Sequence, residues 1–150
     1  MEFRGQDLVQ VLADGATGKG KAIILVVDRD ANIRELEAHF LNQAGYSVEF
    51  EQDGHGALAQ ARKLLPDIII TEILVPKLDG LALCRQLKAD PLTRGIAVVV
   101  FSILAAAGRA REAGADAFLL KPLAEHRLVD TVRQLLEIRG VRSSGVQYAG

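Results

Sequence analysis

Five short apolar runs recur along the chain: Ile23–Val27, Tyr46–Phe50, Asp67–Thr71, Ile96–Phe101 and Ala117–Leu120. The first, third and fourth are nearly continuous Ile, Val and Leu, the pattern of parallel strands covered on both faces. Tyr46-Ser47-Val48-Glu49-Phe50 alternates instead, as an edge strand does. Each run is followed by a stretch with helical period. Ile33, Leu36, Phe40, Leu41 and Ala44 fall on one face, with Asp30 where an N-cap belongs and Gly45 at the left-handed residue after the helix. Further helices are predicted over Gly56–Leu65 and Leu81–Ala89, ending at Pro66 and Pro91, and over Ala105–Ala113, ending at Gly114. Leu128, Val132, Leu135 and Leu136 mark a last one. Strands alternating with helices predict an α/β fold, a doubly wound parallel sheet.

The ends do not share this alternation. Residues 1–21 read as an extension, with one or two helical turns at Leu8–Leu12 and a Gly/Lys linker. Residues 22–138 hold the domain, and 139–150 read as a loose tail. The string Gly15-Ala16-Thr17-Gly18-Lys19-Gly20-Lys21 has phosphate-loop spacing. It lacks the strand before it and the hydroxyl residue after it, so it reads as linker.

Composition narrows the function classes. With 18 basic and 19 acidic residues the net charge is −1, so no whole-molecule field draws the chain to nucleic acid or an acidic membrane. Cys84, the single cysteine, excludes an internal disulfide framework and a cysteine-rich zinc site. Its place beside Leu83 and Leu87 suits a packed thiol. His39, His55 and His126 lie on different predicted elements without metal-ligand spacing. No apolar stretch is long enough to span a bilayer, and the N-terminus is a poor signal peptide, so the expected location is cytoplasmic.

Candidate chemistry sits where such a sheet gathers ligands, beyond the carboxyl ends of its strands. Strand one ends in Asp28-Arg29-Asp30, strand three in Glu72, strand four in Ser102 and strand five in Lys121-Pro122. Two acids, a hydroxyl and a lysine should therefore converge on one rim.

Those residues, with Ile-Leu-Val-Val-Asp at 24–28, Pro-x-Leu-Asp-Gly at 76–80 and Gly114-Ala115-Asp116-Ala117-Phe118, make residues 22–138 resemble a response-regulator receiver (CheY-like) domain. The resemblance implies a flavodoxin-like (βα)5 fold with strand order 2-1-3-4-5. It also implies a Mg²⁺-dependent transfer of a histidine kinase's phosphoryl group to an Asp at the end of strand three. By the same resemblance Asp28 matches the first metal-binding acid, Ser102 the switch hydroxyl, Phe118 the switch aromatic and Lys121 the phosphate-contacting lysine. Lys121-Pro122 should form the family's cis peptide.

Two positions depart from the family. Arg29 stands where a second metal-binding acid belongs, and Glu72 where the phosphoacceptor Asp belongs. Exchanging a carboxylate for a guanidinium moves the site two charge units in the direction that repels Mg²⁺, which needs oxygen ligands. The family's Mg²⁺ site is therefore expected to be lost, with Arg29 pairing to Asp28 or Glu72 instead. Glu72 carries its carboxylate one methylene too far for in-line attack, but towards Ser102 and Lys121. The stretch between Ser102 and Lys121 is also a few positions short, so the fourth helix should be short and the family's usual dimerisation mode doubtful.

The reading is a stand-alone atypical receiver, or pseudo-receiver, in two-component or phosphorelay signalling. It is expected to be no enzyme, to carry no cofactor, and to act by contact with signalling proteins, a histidine kinase or a downstream effector, as a monomer or weak homodimer. Direct contact with nucleic acid or membrane is not expected. The rivals are a Mg²⁺-dependent phosphoaccepting receiver and a flavodoxin-like small-molecule binder. The second lacks the Gly-rich turn after strand one, where Arg29-Asp30-Ala31-Asn32 stands.

Overall fold

A computed structural model describes residues 20–122 and 124–144. The expected helical turns at Leu8–Leu12, the linker up to Lys19 and residues 145–150 lie outside the described residues. Five parallel strands form one sheet: β1 (Ile23–Val27), β2 (Ser47–Glu51), β3 (Ile68–Thr71), β4 (Ala97–Ser102) and β5 (Ala117–Leu120). Their spatial order is β2-β1-β3-β4-β5. The helices between and after them are α1 (Ala31–Gln43), α2 (Gly54–Leu64), α3 (Gly80–Ala89), α4 (Ala107–Glu112) and α5 (Glu125–Ser144). This is the doubly wound, flavodoxin-like order expected.

The period-2 alternation of strand side chains splits the core in two. Leu25, Val27, Ile69, Val98 and Val100 point to one face and pack with Ala57, Ala61, Leu83, Cys84 and Leu87 from α2 and α3. Ile24, Val26, Ile68, Ile70 and Val99 point to the other and pack with Leu41, Leu128 and Val132 from α1 and α5. β2 carries no buried residue, as an edge strand should. Cys84 is fully buried, its S–H donates to the Ala113 carbonyl, and burial pushes its thiol up to about 11. A thiol in that state is packing, not a nucleophile.

Local signals place the helices. Asp30 caps α1 by accepting from the Asn32 amide, and Asp79 caps α3 by accepting from those of Leu81 and Ala82. Gly45 closes the turn after α1 at φ 100° and Gly114 the turn after α4 at φ 98°, a region that L side chains rarely adopt. Three expectations shift. α4 begins two residues late and covers six residues, because Ala105 and Ala106 offer no side-chain cap. Leu36, placed on the buried face of α1, is 53% exposed, and Glu37 beside it is buried. The last helix runs to Ser144, so the tail expected from Arg139 is helical over its first six residues. Gly140 costs a helix only about 1 kcal/mol, and no proline follows to stop it.

Gly80 is among the glycines required by close approach. A Cβ at Gly80 would lie 2.2 Å from the Glu72 carbonyl oxygen and 2.9 Å from Ile73 Cα. The first turn of α3 thus sits directly on the backbone that leaves β3. Gly80→Ala is expected to cost about 1–3 kcal/mol by overpacking, measured by urea denaturation.

Candidate functional site: an acidic rim closed by a lysine

Register alone brings the predicted residues together. Val27 lies opposite Thr71, Thr71 opposite Val100, and Ser102 opposite Leu120. Asp28, Glu72, Ser102 and Lys121 therefore leave the sheet along one rim. Two amides prolong the ladder there: Glu72 N–H donates to the Val27 carbonyl at 3.0 Å and Lys121 N–H to that of Ser102 at 2.8 Å.

Lys121 is the centre of the site. Its Nζ donates to Asp28 Oδ2 at 2.6 Å and to Glu72 Oε1 at 3.2 Å. The Lys121 side chain is 12% exposed and those of Asp28 and Glu72 6% each, so these ion pairs are largely withdrawn from water. Its ammonium also stands 5.2 Å from the Phe101 ring centre. Burial pulls Lys121 down. The bond and charge of Asp28, joined by Glu72, outweigh that and hold it above its ordinary value. The Lys121–Pro122 peptide is cis.

The Glu72 carboxylate is surrounded by donors. Oε2 accepts from the Ser102 hydroxyl, from Ile73 N–H at 2.6 Å and from Leu74 N–H at 3.3 Å. Oε1 accepts from Lys121 and from Ile103 N–H at 3.3 Å. Burial raises this carboxyl. The Ser102 bond, the Lys121 charge and the Leu74 amide overcome that and hold it below the ordinary glutamate range. Asp28 is engaged at both oxygens, Oδ1 accepting from Asp30 N–H at 3.0 Å. Ser102 is fully buried and accepts at Oγ from Leu104 N–H. Phe118 is half-buried and packs against the core on the α2–α3 side.

The expected pairing of Arg29 is not made. Arg29 is exposed and pairs with neither Asp28 nor Glu72; the cation between those carboxylates is Lys121. Neighbouring residues at a strand end point to opposite sides, so burying Asp28 turns Arg29 outward. It still lines the mouth of the cleft above the site, about 230 Å³, with Leu74 and Ile103.

Glu37 on α1 was missed by the motif. It is 5% exposed, and its carboxyl feels the charges of Lys121, Asp28 and Glu72. Helical spacing was the available signal: Glu37 stands four residues after Ile33 and four before Leu41, inside the apolar stripe.

Comparisons with known proteins agree with this geometry. The family model described as "Response regulator receiver domain" matches residues 24–133. The chain is 42% identical over 120 residues to the response regulator PleD of Caulobacter vibrioides, covering 78% of this chain and 26% of that protein. It is 39% identical over 114 residues to the response regulator MprA of Mycolicibacterium vanbaalenii, covering 75% of this chain and 49% of that one. The chain thus spans about a quarter to a half of these curated relatives. A crystal structure of a putative response regulator from Chloroflexus aurantiacus superposes with a TM-score of 0.75 at 33% identity, covering 78% of this chain and 98% of that one. By fold, by the convergence of Asp28, Glu72, Ser102 and Lys121, and by sequence, the chain belongs to the response regulator receiver domain family.

Proposed function

We propose that this receiver domain signals by protein contact with Glu72 as a permanent occupant of the phosphoryl position. Five donors on one carboxylate carry this reading: the Ser102 hydroxyl, the Lys121 ammonium and the amides of Ile73, Leu74 and Ile103. The family places a phosphoryl group against that same hydroxyl and lysine. One charge and two oxygens then stand in for the larger charge and three oxygens of a phosphate.

The donor set does not fit a magnesium ion. Such an ion wants near-octahedral oxygen ligands and several carboxylates. Here the Asp28 and Glu72 carboxylates are already bonded to Lys121 and to backbone amides, and Arg29 replaces the further acid. No group of three or more metal-ligating side chains occurs among the described residues. Asp30 is committed as the cap of α1.

Receiver domains are signalling modules that contact histidine kinases and effector domains, and those are the partners proposed. Among the described residues, no helix is long and apolar enough to cross a membrane. The rival reading, a phosphoaccepting receiver, rests on the likeness to proteins named response regulators. Incubation with Mg²⁺ and a small phosphodonor separates the two by intact mass. No phosphate adduct is expected; an adduct lost on Glu72→Gln would overturn the proposal.

A further inference from the structure

The loops that lead into β3 and β4 lie at the end of the sheet opposite the acidic rim, and they carry exposed apolar surface. Leu65, which closes α2, is 47% exposed, and Leu92, in the turn after α3, is 56% exposed. One carboxylate ties the two turns together. Asp90 Oδ2 pairs with Arg62 in the last turn of α2 at 3.3 Å, and Asp90 Oδ1 accepts from Leu92 N–H at 2.9 Å. Single exposed leucines are ordinary, but Leu65 is also held at φ 48°, the left-handed position that glycine or asparagine usually fills after a helix. A side chain there crowds its own backbone.

The chain itself delivers a matching segment to this place. Ile23 N–H donates to Asp67 Oδ2 at 2.8 Å, and the Ile23 carbonyl accepts from Asp67 N–H at 2.9 Å. The chain therefore enters β1 beside Asp67, two positions from Leu65. Upstream stands Asp7-Leu8-Val9-Gln10-Val11-Leu12-Ala13-Asp14, an apolar run between two acids. The patch is bordered by cations instead, with Lys63 and Arg94 exposed beside Arg62. Residues 15–22 span at most roughly 28 Å when extended, well beyond the roughly 8–10 Å between packed helix axes.

We propose that the segment Asp7–Asp14 docks on Leu65 and Leu92 of its own chain, with Asp7 and Asp14 meeting Arg62, Lys63 and Arg94. Burial of the leucines and valines drives the docking, and the exposed charges mainly set its orientation. The tether makes the encounter intramolecular, so a patch too small to hold a free peptide suffices. A second copy offering the same segment lacks that advantage. The strap lies away from Glu72, so the inference does not depend on whether Glu72 replaces or accepts a phosphoryl group.

A nitroxide at Gln10→Cys tests this by amide NMR on the dilute full chain. Cys84 is fully buried, with its thiol pushed up to about 11, and stays unlabelled. The label is expected to erase the amide signals of Leu65, Leu92 and Arg94 and to spare those of Leu74 and Ile103 beside the acidic rim. Leu92→Asp, at an exposed site, sets a third acid against the two of the segment and should restore the signals of Leu65 and Arg94. Leu8→Ser with Leu12→Ser, which alters no core residue, should restore all three. Erasure that persists in both variants would mean a tether that stays near without docking, and would overturn the proposal. So would signals left intact in the full chain. Erasure on an isotope-labelled chain mixed with a separate spin-labelled one would overturn it too, assigning the patch to a second copy.

Discussion

Lys121→Met is expected to destabilise the protein by about 3–5 kcal/mol at neutral pH, the usual cost of removing one partner from a buried ion pair. Methionine keeps most of the stem volume, so the loss is electrostatic. Asp28 and Glu72 would face each other, nearly buried, with no cation between them. The pH dependence identifies the cause. In the wild type the Glu72 carboxyl is held low, so its contribution is present above the unfolded glutamate value and is lost as pH falls through the folded one. Without Lys121, burial dominates and the carboxyl rises, so protonation relieves the variant. The gap between wild type and Lys121→Met should therefore narrow on acidification from about pH 7 to about pH 4.5. Adding Glu72→Gln to Lys121→Met removes one of the two repelling charges and should recover part of the loss. Urea denaturation of the four proteins closes the cycle. A cost under about 1 kcal/mol, equal at both pH values, would mean that the pairs are solvated like surface salt bridges.

How far the site could be read in advance depended on which physical signal each residue carries. Asp28, Glu72, Ser102 and Lys121 were legible because a parallel sheet sends its strand ends to one rim, and the strands are marked by runs of Ile and Val. The capping roles of Asp30 and Gly45 were legible because they depend on local backbone alone. Arg29 was not. Its charge was plain, but whether it or Lys121 stands between the carboxylates depends on the direction a side chain leaves the chain, which tertiary packing decides. The α1 face was misjudged by about one position: Leu36 was placed inward, and Glu37 is the buried residue. A glutamate within an apolar stripe is discounted by any hydrophobicity pattern, though its spacing to Ile33 and Leu41 is helical. The end of α5 escaped for a different reason. Arg139–Ser144 has neither a strong apolar period nor a stop signal, and helix there continues from the packed turns before it.

Glu37 is buried with its Oε1 lacking a hydrogen-bond partner, and its removal should stabilise the protein. Burial pushes its carboxyl up to about 8; Lys121 pulls it down, and Asp28 and Glu72 push it further up. From α5, Glu125 is a further acid, lining a cleft of about 310 Å³ together with Glu37 and Lys121. An acid whose folded value lies above its unfolded one binds more protons when folded, so stability falls as pH rises between the two. For Glu37 that window runs from about 4.5 to about 8. The penalty at pH 9 is on the order of 4 kcal/mol. Glu37→Met has nearly the same length, fits the apolar stripe and leaves nothing to ionise. Near pH 5 the carboxyl is already protonated, and the two proteins should agree within about 1 kcal/mol. By pH 9 the variant should be the more stable by several kcal/mol, as read from paired urea denaturation curves. Taking the difference between the two proteins cancels every other titrating group that the substitution leaves undisturbed. Lys121 is the one to watch, since it loses a neighbouring carboxylate; it titrates above its ordinary value, outside the window. A difference flat from about pH 5 to about pH 9 would mean that water reaches Glu37 and that it titrates as an ordinary glutamate.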